Sequence, residues 1–223
     1  MQNILIYGAG GNGRETLGIL ESIYKKELVS EKLKIFFVET EVISEMINSI
    51  QVISEKKISQ LPIKDTIFVI SIGQPEIRFD IAQRLILTGI KPVSIVSPLA
   101  YVSNAAQLGS GNIIAQFSLV SCDTSIGDFT QVNYFASISH DVVVGNYVTV
   151  GPGVRVNGHV IIEDLVSIGA QATIRPGKKG KPRIIGKGAV IGMGAVVISD
   201  VLPYTTVVGN PAKELTSKPI SSH

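Results

Sequence analysis

Residues 126–156 read IGDFTQ VNYFAS ISHDVV VGNYVT VGPGVR V, and every sixth residue, from Ile126 through Val132, Ile138, Val144 and Val150 to Val156, is aliphatic. An α-helix repeats its apolar face every 3.6 residues and a half-buried strand every two, so a period of six is a signal of its own. Each unit must be a short strand plus a turn, its aliphatic side chain pointing into a narrow solenoid and stacking on the units above and below. The series extends backward without a failure to Val96, through Val102, Leu108, Ile114 and Val120, and forward through Ile162 and Ile168 to Ile174. The residue after each aliphatic one is mostly small or turn-forming, as at Ser97, Gly127 and Gly145. Four positions after it comes a small or β-branched one, as at Ala136, Val148 and Val166. One unit buries too little apolar surface to stand alone; the stack does not.

The series slips once, at Arg175-Pro-Gly-Lys-Lys-Gly-Lys-Pro-Arg183, and resumes at Ile185, Ile191 and Val197. A Pro/Gly/Lys-rich interruption in a strict solenoid is a loop thrown outward. Two readings of it stand: a solvated basic turn, or a grip in which Lys178, Lys179, Lys181 and Arg183 hold an anionic ligand such as the phosphates of a coenzyme.

Before the solenoid the grammar differs. Asn3 to Tyr7, Thr16 to Lys26, Lys34 to Val38, Thr66 to Ile72 and Ile77 to Leu87 read as strand, helix, strand, strand and helix, the alternation of a small parallel α/β sheet. Pro92, Ser97 and Pro98 punctuate the junction. The expected organisation is a Rossmann-like α/β half-domain over 1–95, a β-helix over 96–213 and a polar tail over 214–223.

Gly8-x-Gly10-x-x-Gly13, after the apolar run Ile4 to Tyr7, matches the dinucleotide-binding pattern. A dinucleotide needs two mononucleotide halves and an acid about 20 residues beyond the loop. Only about ninety residues precede the solenoid, room for one half, and the nearest acid, Glu39, comes late. This argues against a nicotinamide site. What survives is the loop's general chemistry: glycines admit a ligand close to the backbone, and amides at a helix N-terminus favour anions.

Composition narrows the rest. The 223 residues carry a formal net charge of +2, which gives no reason to expect nucleic acid or a membrane surface as partner. A single cysteine, Cys122, excludes an intramolecular disulfide and a cysteine-based zinc cluster. No stretch reads as a secretory leader or a membrane span, so a cytoplasmic protein is expected.

The hexad run, closed by Val208-Gly-Asn-Pro-Ala-Lys213, resembles the hexapeptide-repeat acyltransferases. With the glycine loop ahead of it, the chain resembles the sugar O/N-acetyltransferases of the NeuD/PglD type over essentially its whole length. The resemblance implies a left-handed parallel β-helix, a homotrimer, acetyl-CoA as co-substrate and no metal. It also implies transfer of acetyl to a nucleotide-linked amino-deoxy sugar of the UDP-4-amino type, in bacterial surface glycan synthesis. O-acetylation of a sialic-acid-like sugar is the runner-up. A γ-type carbonic anhydrase shares the β-helix, but its zinc needs three histidines. A non-catalytic sugar-nucleotide-binding trimer is the other alternative.

Acetyl transfer from a thioester needs a base to take the proton of the attacking acceptor, and histidine suits that near neutral pH. Of His140, His159 and His223, the last lies in the polar tail, expected to be disordered. His140 follows the inward Ile138 by two, so it should point off the solenoid, and Asp141 beside it would orient the ring. Ser139-His140-Asp141 falls where the resembled family has its catalytic histidine and acid, and Asn133 matches a family active-site asparagine. The resemblance further assigns the acceptor to Gly10, Gly11, Asn12, Glu39, Thr40 and Gly73, and the donor groove to Thr149, Gly158, Ala170 and Met193. Asn12 and Thr149 stand where relatives often have histidine. His159 receives no role.

Overall fold

The computed structural model describes residues 2–215. The N-terminal unit is a six-stranded sheet built from β1 (Gln2–Tyr7), β2 (Leu33–Glu39), β3 (Met46–Ile47), β4 (Ile50–Ser54), β5 (Thr66–Ile70) and β6 (Lys91–Pro92), in the order β3-β4-β2-β1-β5-β6. All neighbours are parallel except the β3/β4 hairpin at one edge. β1 is buried along nearly its whole length, as a strand covered on both faces must be. Helix α1 (Gly11–Ile23) puts Leu17, Ile19 and Leu20 against Ile4, Ile6 and Phe37 on one face; a short α2 (Lys25–Val29) follows it. Helix α3 (Pro75–Leu87) puts Ile81, Ala82 and Leu85 against Leu5, Phe68 and Ile70 on the other. The sequence reading placed β1, β2, β5 and both long helices but not the β3/β4 hairpin, whose two-residue strand and two-residue turn at Asn48 and Ser49 are too short to show a period.

From Ile95 the chain becomes a left-handed parallel β-helix of triangular section. The hexad residues divide among three faces, each strand pairing with the one 18 residues on. Face one holds Val96, Ile114, Val132, Val150 and Ile168, face two Val102, Val120, Ile138, Val156 and Ile174, and face three Leu108, Ile126, Val144 and Ile162. From Ile114 on these side chains are almost wholly buried, and Ala136, Val142, Val148, Val154, Val160 and Val166 fill the corners between them. Each such burial is worth roughly 1.5–3 kcal/mol for a Val- or Ile-sized side chain, less for alanine.

Corners turn through the left-handed region. The third residue after the inward one has φ of 53–61° at Phe117, Asp123, Phe129, Phe135, Asp141, Tyr147, His159, Leu165 and Gln171. None is β-branched, since that shape is the worst tolerated there. The N–H thus turned outward is paired with the coil before, as in Tyr147 N–H to Asp128 O at 2.8 Å.

The slip is an excursion, as expected: Ile162 pairs with Ile185 and Ile174 with Val197, the extra residues lying between. The last coil closes early through Val201 and Val207, and Lys213–Glu214 pairs antiparallel with Thr206–Val208. The chain is therefore strand-paired one residue into the segment expected as tail, and the Leu215 N–H still donates to the Thr206 carbonyl at 2.8 Å; residues 216–223, with His223, lie outside the described residues.

Candidate active site

β1 has β2 on one side and β5 on the other, so the strand order reverses about it and a crevice opens at the carboxyl ends of β1 and β5. The loops leaving those strands form its walls. Gly8 and Gly10–Asn12 lead from β1 into α1, and Ser71–Gln74 lead from β5 into α3. Glu39 at the end of β2 completes the upper wall, and Ser167 and Val190 on face one of the solenoid, with Leu165 at the corner before it, form the floor. The cleft measures about 720 Å³.

Gly13 makes the turn possible: a Cβ there would lie 1.9 Å from the Gly8 carbonyl oxygen. Glu39 Oε1 accepts the Ala9 N–H at 2.5 Å, bracing the loop. A Cβ on Gly73 would sit 3.2 Å from Asn12 Nδ2, so the two glycine turns face each other across the cleft. Gly10, Gly11, Asn12, Glu39 and Gly73, singled out from the sequence, thus line one space. Thr40 does not join them; its hydroxyl lies 3.2 Å from that of Tyr7. Tyr7 in turn donates to Glu55, which Arg84 holds at 2.9 Å. The Arg84 hydrogen bond keeps the Glu55 carboxyl below the usual carboxylate range.

Arg78 ties the cleft to the solenoid. It is fully buried in the first turns of α3, and its guanidinium donates to the carbonyls of Phe129 (2.8 Å), Ile72 (2.5 Å), Gly73 (3.2 Å) and Tyr147 (2.8 Å) and to Thr149 Oγ1 (2.9 Å). Burial lowers it to about 9, which leaves it cationic at neutral pH. Gln131 helps from face one, donating to the Ile70 and Ile72 carbonyls. Sequence reading passed over both residues. The resemblance put Thr149 in the donor groove; within one chain its hydroxyl donates to the Gly73 carbonyl at 2.6 Å and accepts from Arg78.

His140 stands at the corner between faces two and three, and its side chain is 55% exposed, pointing off the solenoid as the spacing required. Its Nδ1 is 2.7 Å from Asp141 Oδ2. The left-handed φ of 56° at Asp141 lets these sequence neighbours meet. That hydrogen bond is the main cause holding the Asp141 carboxyl below its ordinary range. A carboxylate on Nδ1 selects the tautomer with the proton there, so Nε2 presents a lone pair.

Gly158, one coil on, lies flat against this ring: a Cβ would be 2.7 Å from Cε1. His159, given no role from the sequence, stands edge-on to His140 with centroids 5.5 Å apart, its Nδ1 3.9 Å from Asp141 Oδ2. Two imidazoles and a carboxylate gather here, one histidine fewer than the anhydrase alternative needs.

The other predicted residues lie elsewhere. Asn133 follows face one, at a different corner from His140; it donates to the Val150 carbonyl at 2.9 Å and lines the seam with Asn12 and Glu15. Ala170 and Met193 stack on successive coils of that same corner, Met193 being 80% exposed. Within one chain, His140 does not line the strand-end cleft.

A strand-end cleft on a Rossmann-like half-domain, set on a hexapeptide β-helix with an outward His–Asp pair, defines a hexapeptide-class acyltransferase. Residues 3–85 match the PglD N-terminal domain, and 123–158 match the bacterial transferase hexapeptide (six repeats). The chain is 38% identical over 216 residues to a GDP-perosamine N-acetyltransferase of Escherichia coli O157:H7, with 97% of each covered. Among solved structures it superposes on WeeI from Acinetobacter baumannii AYE with a TM-score of 0.91 and 32% identity, over 96% of this chain and 100% of that one. It also superposes on the acetyltransferase domain of PglB from Neisseria gonorrhoeae FA1090, in complex with acetyl coenzyme A, with a TM-score of 0.86 and 25% identity, over 96% and 99%. The chain belongs to the family of nucleotide-sugar N-acetyltransferases that join a PglD-type N-terminal domain to hexapeptide repeats, enzymes whose acetyl donor is acetyl-CoA. No described helix is long and apolar enough to cross a membrane.

Proposed function

We propose that the protein acetylates the amino group of a nucleotide-linked amino-deoxy sugar seated in the strand-end cleft, with His140 of a neighbouring subunit as general base. The observation that carries this reading is the Asp141-held ring, whose free Nε2 faces outward at a corner remote from the cleft of its own chain. The acceptor nitrogen attacks the thioester carbonyl carbon while Nε2 takes its proton. The C–S bond then breaks as the C–N bond is completed, and the proton passes from the imidazolium to the leaving thiolate. The thioester is already activated, so no covalent acyl-enzyme is needed.

In this reading Gly10, Gly11 and Asn12 receive the nucleotide's phosphates at the N-terminus of α1, while Glu39 and Gly73 bound the cleft. Thr149 fixes Gly73 instead of meeting the donor. Gly158 seats the base, and Ala170 and Met193 line the groove along which acetyl-CoA lies. Asn133 lines the seam beside Asn12, while Thr40, on the Tyr7 hydroxyl, stays outside the cleft.

The E. coli relative acts on GDP-perosamine, so a GDP-linked amino sugar is the first acceptor to try, ahead of the UDP-linked type that the motifs alone suggested. On this reading the site is incomplete in one chain, so the enzyme works as an oligomer, and the family resemblance makes that oligomer a cyclic trimer. Leu99, Phe117 and Phe135, more than half exposed and stacked on successive coils, offer an apolar ladder for the contact. Both co-substrates belong to the cytoplasm, which is where the reading locates the enzyme. Surface glycan assembly is the use it assigns the product.

The test is thiol release from acetyl-CoA with GDP-, UDP- and dTDP-linked amino sugars. Turnover with one of them and a product whose mass rises by one acetyl group support the reading; saturable acceptor binding without release with any of them overturns it.

A further inference from the structure

Five cationic side chains, Arg175, Lys178, Lys179, Lys181 and Arg183, fall within nine residues of the excursion, in a chain whose net charge is only +2. The segment has defined structure. Lys178 and Lys181 exchange both backbone hydrogen bonds at 2.9 Å about a turn that Gly180 makes with φ 78°. Its base is fastened to the coil next to that of the candidate base: Gly177 N–H donates to the Gly158 carbonyl (3.1 Å) and Arg183 N–H to that of His159 (2.9 Å). The excursion therefore rises from the same corner as His140, Asp141 and His159, and Lys179 is near enough to Asp141 to favour its ionised form.

A cavity of about 240 Å³ opens between the excursion and the solenoid, lined by Arg175, Lys178, Lys181 and Arg183, with Asp200 the single carboxylate. Asp200 is already committed, to Arg183 Nη1 at 2.7 Å and to the Ile184 N–H at 3.1 Å. Among the described residues, Arg175, Lys178, Lys179 and Lys181 have no salt-bridge partner. Positive charge gathered around a hollow with no anion left to meet it suits a polyphosphate.

Two co-substrates carry phosphate, and their places differ. The sugar nucleotide has its own cleft and anion-favouring helix terminus on the opposite side of the solenoid. The excursion stands about two strand spacings, roughly 10 Å, beyond His140 along the axis. A donor with its thioester at His140 must send its phosphorylated end away from that ring. We propose that Lys178, Lys179 and Lys181, with Arg175, grip the diphosphate and phosphomonoester of acetyl-CoA. This rests on the donor groove assigned above.

The experiment compares wild type with the full-length Lys178→Ser/Lys179→Ser/Lys181→Ser protein, using acetyl-CoA and phosphate-free acetyl-pantetheine as donors. The KM for acetyl-CoA is expected to rise on the order of 10-fold to 100-fold with kcat nearly unchanged, while acetyl-pantetheine kinetics stay the same in both proteins. A triple Lys→Arg protein should keep the wild-type KM. An unaltered acetyl-CoA KM in the Ser variant leaves a solvated turn and overturns the proposal. A rise confined to the acceptor's KM assigns the grip to the sugar nucleotide and overturns it equally. Calorimetry of CoA with the wild type separates the two levels: no binding there defeats the donor assignment itself, whereas equal binding by wild type and Ser variant defeats only the grip.

Discussion

His140 is held by two unlike neighbours, a carboxylate at its Nδ1 and the bare face of a glycine against its ring. If His140 is the base proposed above, His140→Ala should lower kcat roughly 100-fold to 10,000-fold with CoA affinity retained, as calorimetry can check. Gly158→Ala is the subtler test. Gly158 is not in the left-handed region, so the backbone accepts alanine, but the new Cβ, 2.7 Å from Cε1, must push the exposed ring away from Asp141. We expect a loss of about 10-fold or more in kcat with the melting temperature almost unmoved, which steady-state kinetics and calorimetry would separate. The histidine and its acid were legible because their place in the hexad fixed which way they point. Gly158 was legible only as a contact position, since nothing in a repeat rich in glycine says which one has an imidazole beside it. The approach of His159 to His140 was illegible for a related reason: the side chains of residues nineteen apart become neighbours only once the coil length is 18.

At the scale of elements, the acceptor cleft depends on helix α3 staying docked, and two of its arginines do this differently. Arg78 is buried with five acceptors and no carboxylate, so Arg78→Met would leave carbonyls of three segments without their donor. Each buried orphan costs about 1–3 kcal/mol, and a total loss of several kcal/mol with a raised acceptor KM is expected by denaturant unfolding and kinetics. Arg84 instead makes a two-point contact with Glu55 near the surface. Because the folded-state pKa of Glu55 is depressed, the stability it supplies is present above the ordinary glutamate range and is lost as pH falls through the folded value. Glu55→Gln should therefore melt lower than wild type at pH 7, by about 1 kcal/mol for a pair of this exposure, and the gap should close in acid. The strands and helices carrying these residues could be read from apolar runs. Arg78 itself could not, because a cation four residues into an amphipathic helix reads as solvent-facing until a second domain covers it.

For the whole molecule, the sequence period implied a solenoid of stacked coils but not the separation of cleft and base onto different corners of the triangle. On the proposed reading that separation turns oligomerisation into part of the chemistry: a base that cannot reach its own chain's acceptor must serve another's. Complementation tests this without a structure of the assembly. His140→Ala lacks the base but keeps its cleft; Gly73→Glu keeps the base but puts a carboxylate into the cleft, where it repels phosphates and meets Asn12. Each protein alone should be nearly inactive. Mixed in equal amounts, unfolded and refolded together, they should recover about a quarter of wild-type turnover, the chance that an intact base meets an intact cleft at a junction of a randomly assembled cyclic trimer. If base and cleft instead belonged to one chain, every subunit in the mixture would carry a lesion in its own site, and the mixed sample would stay as inactive as its parts. Phe135→Asp in the same assay, by breaking the exposed ladder, should abolish activity while light scattering shows a smaller species.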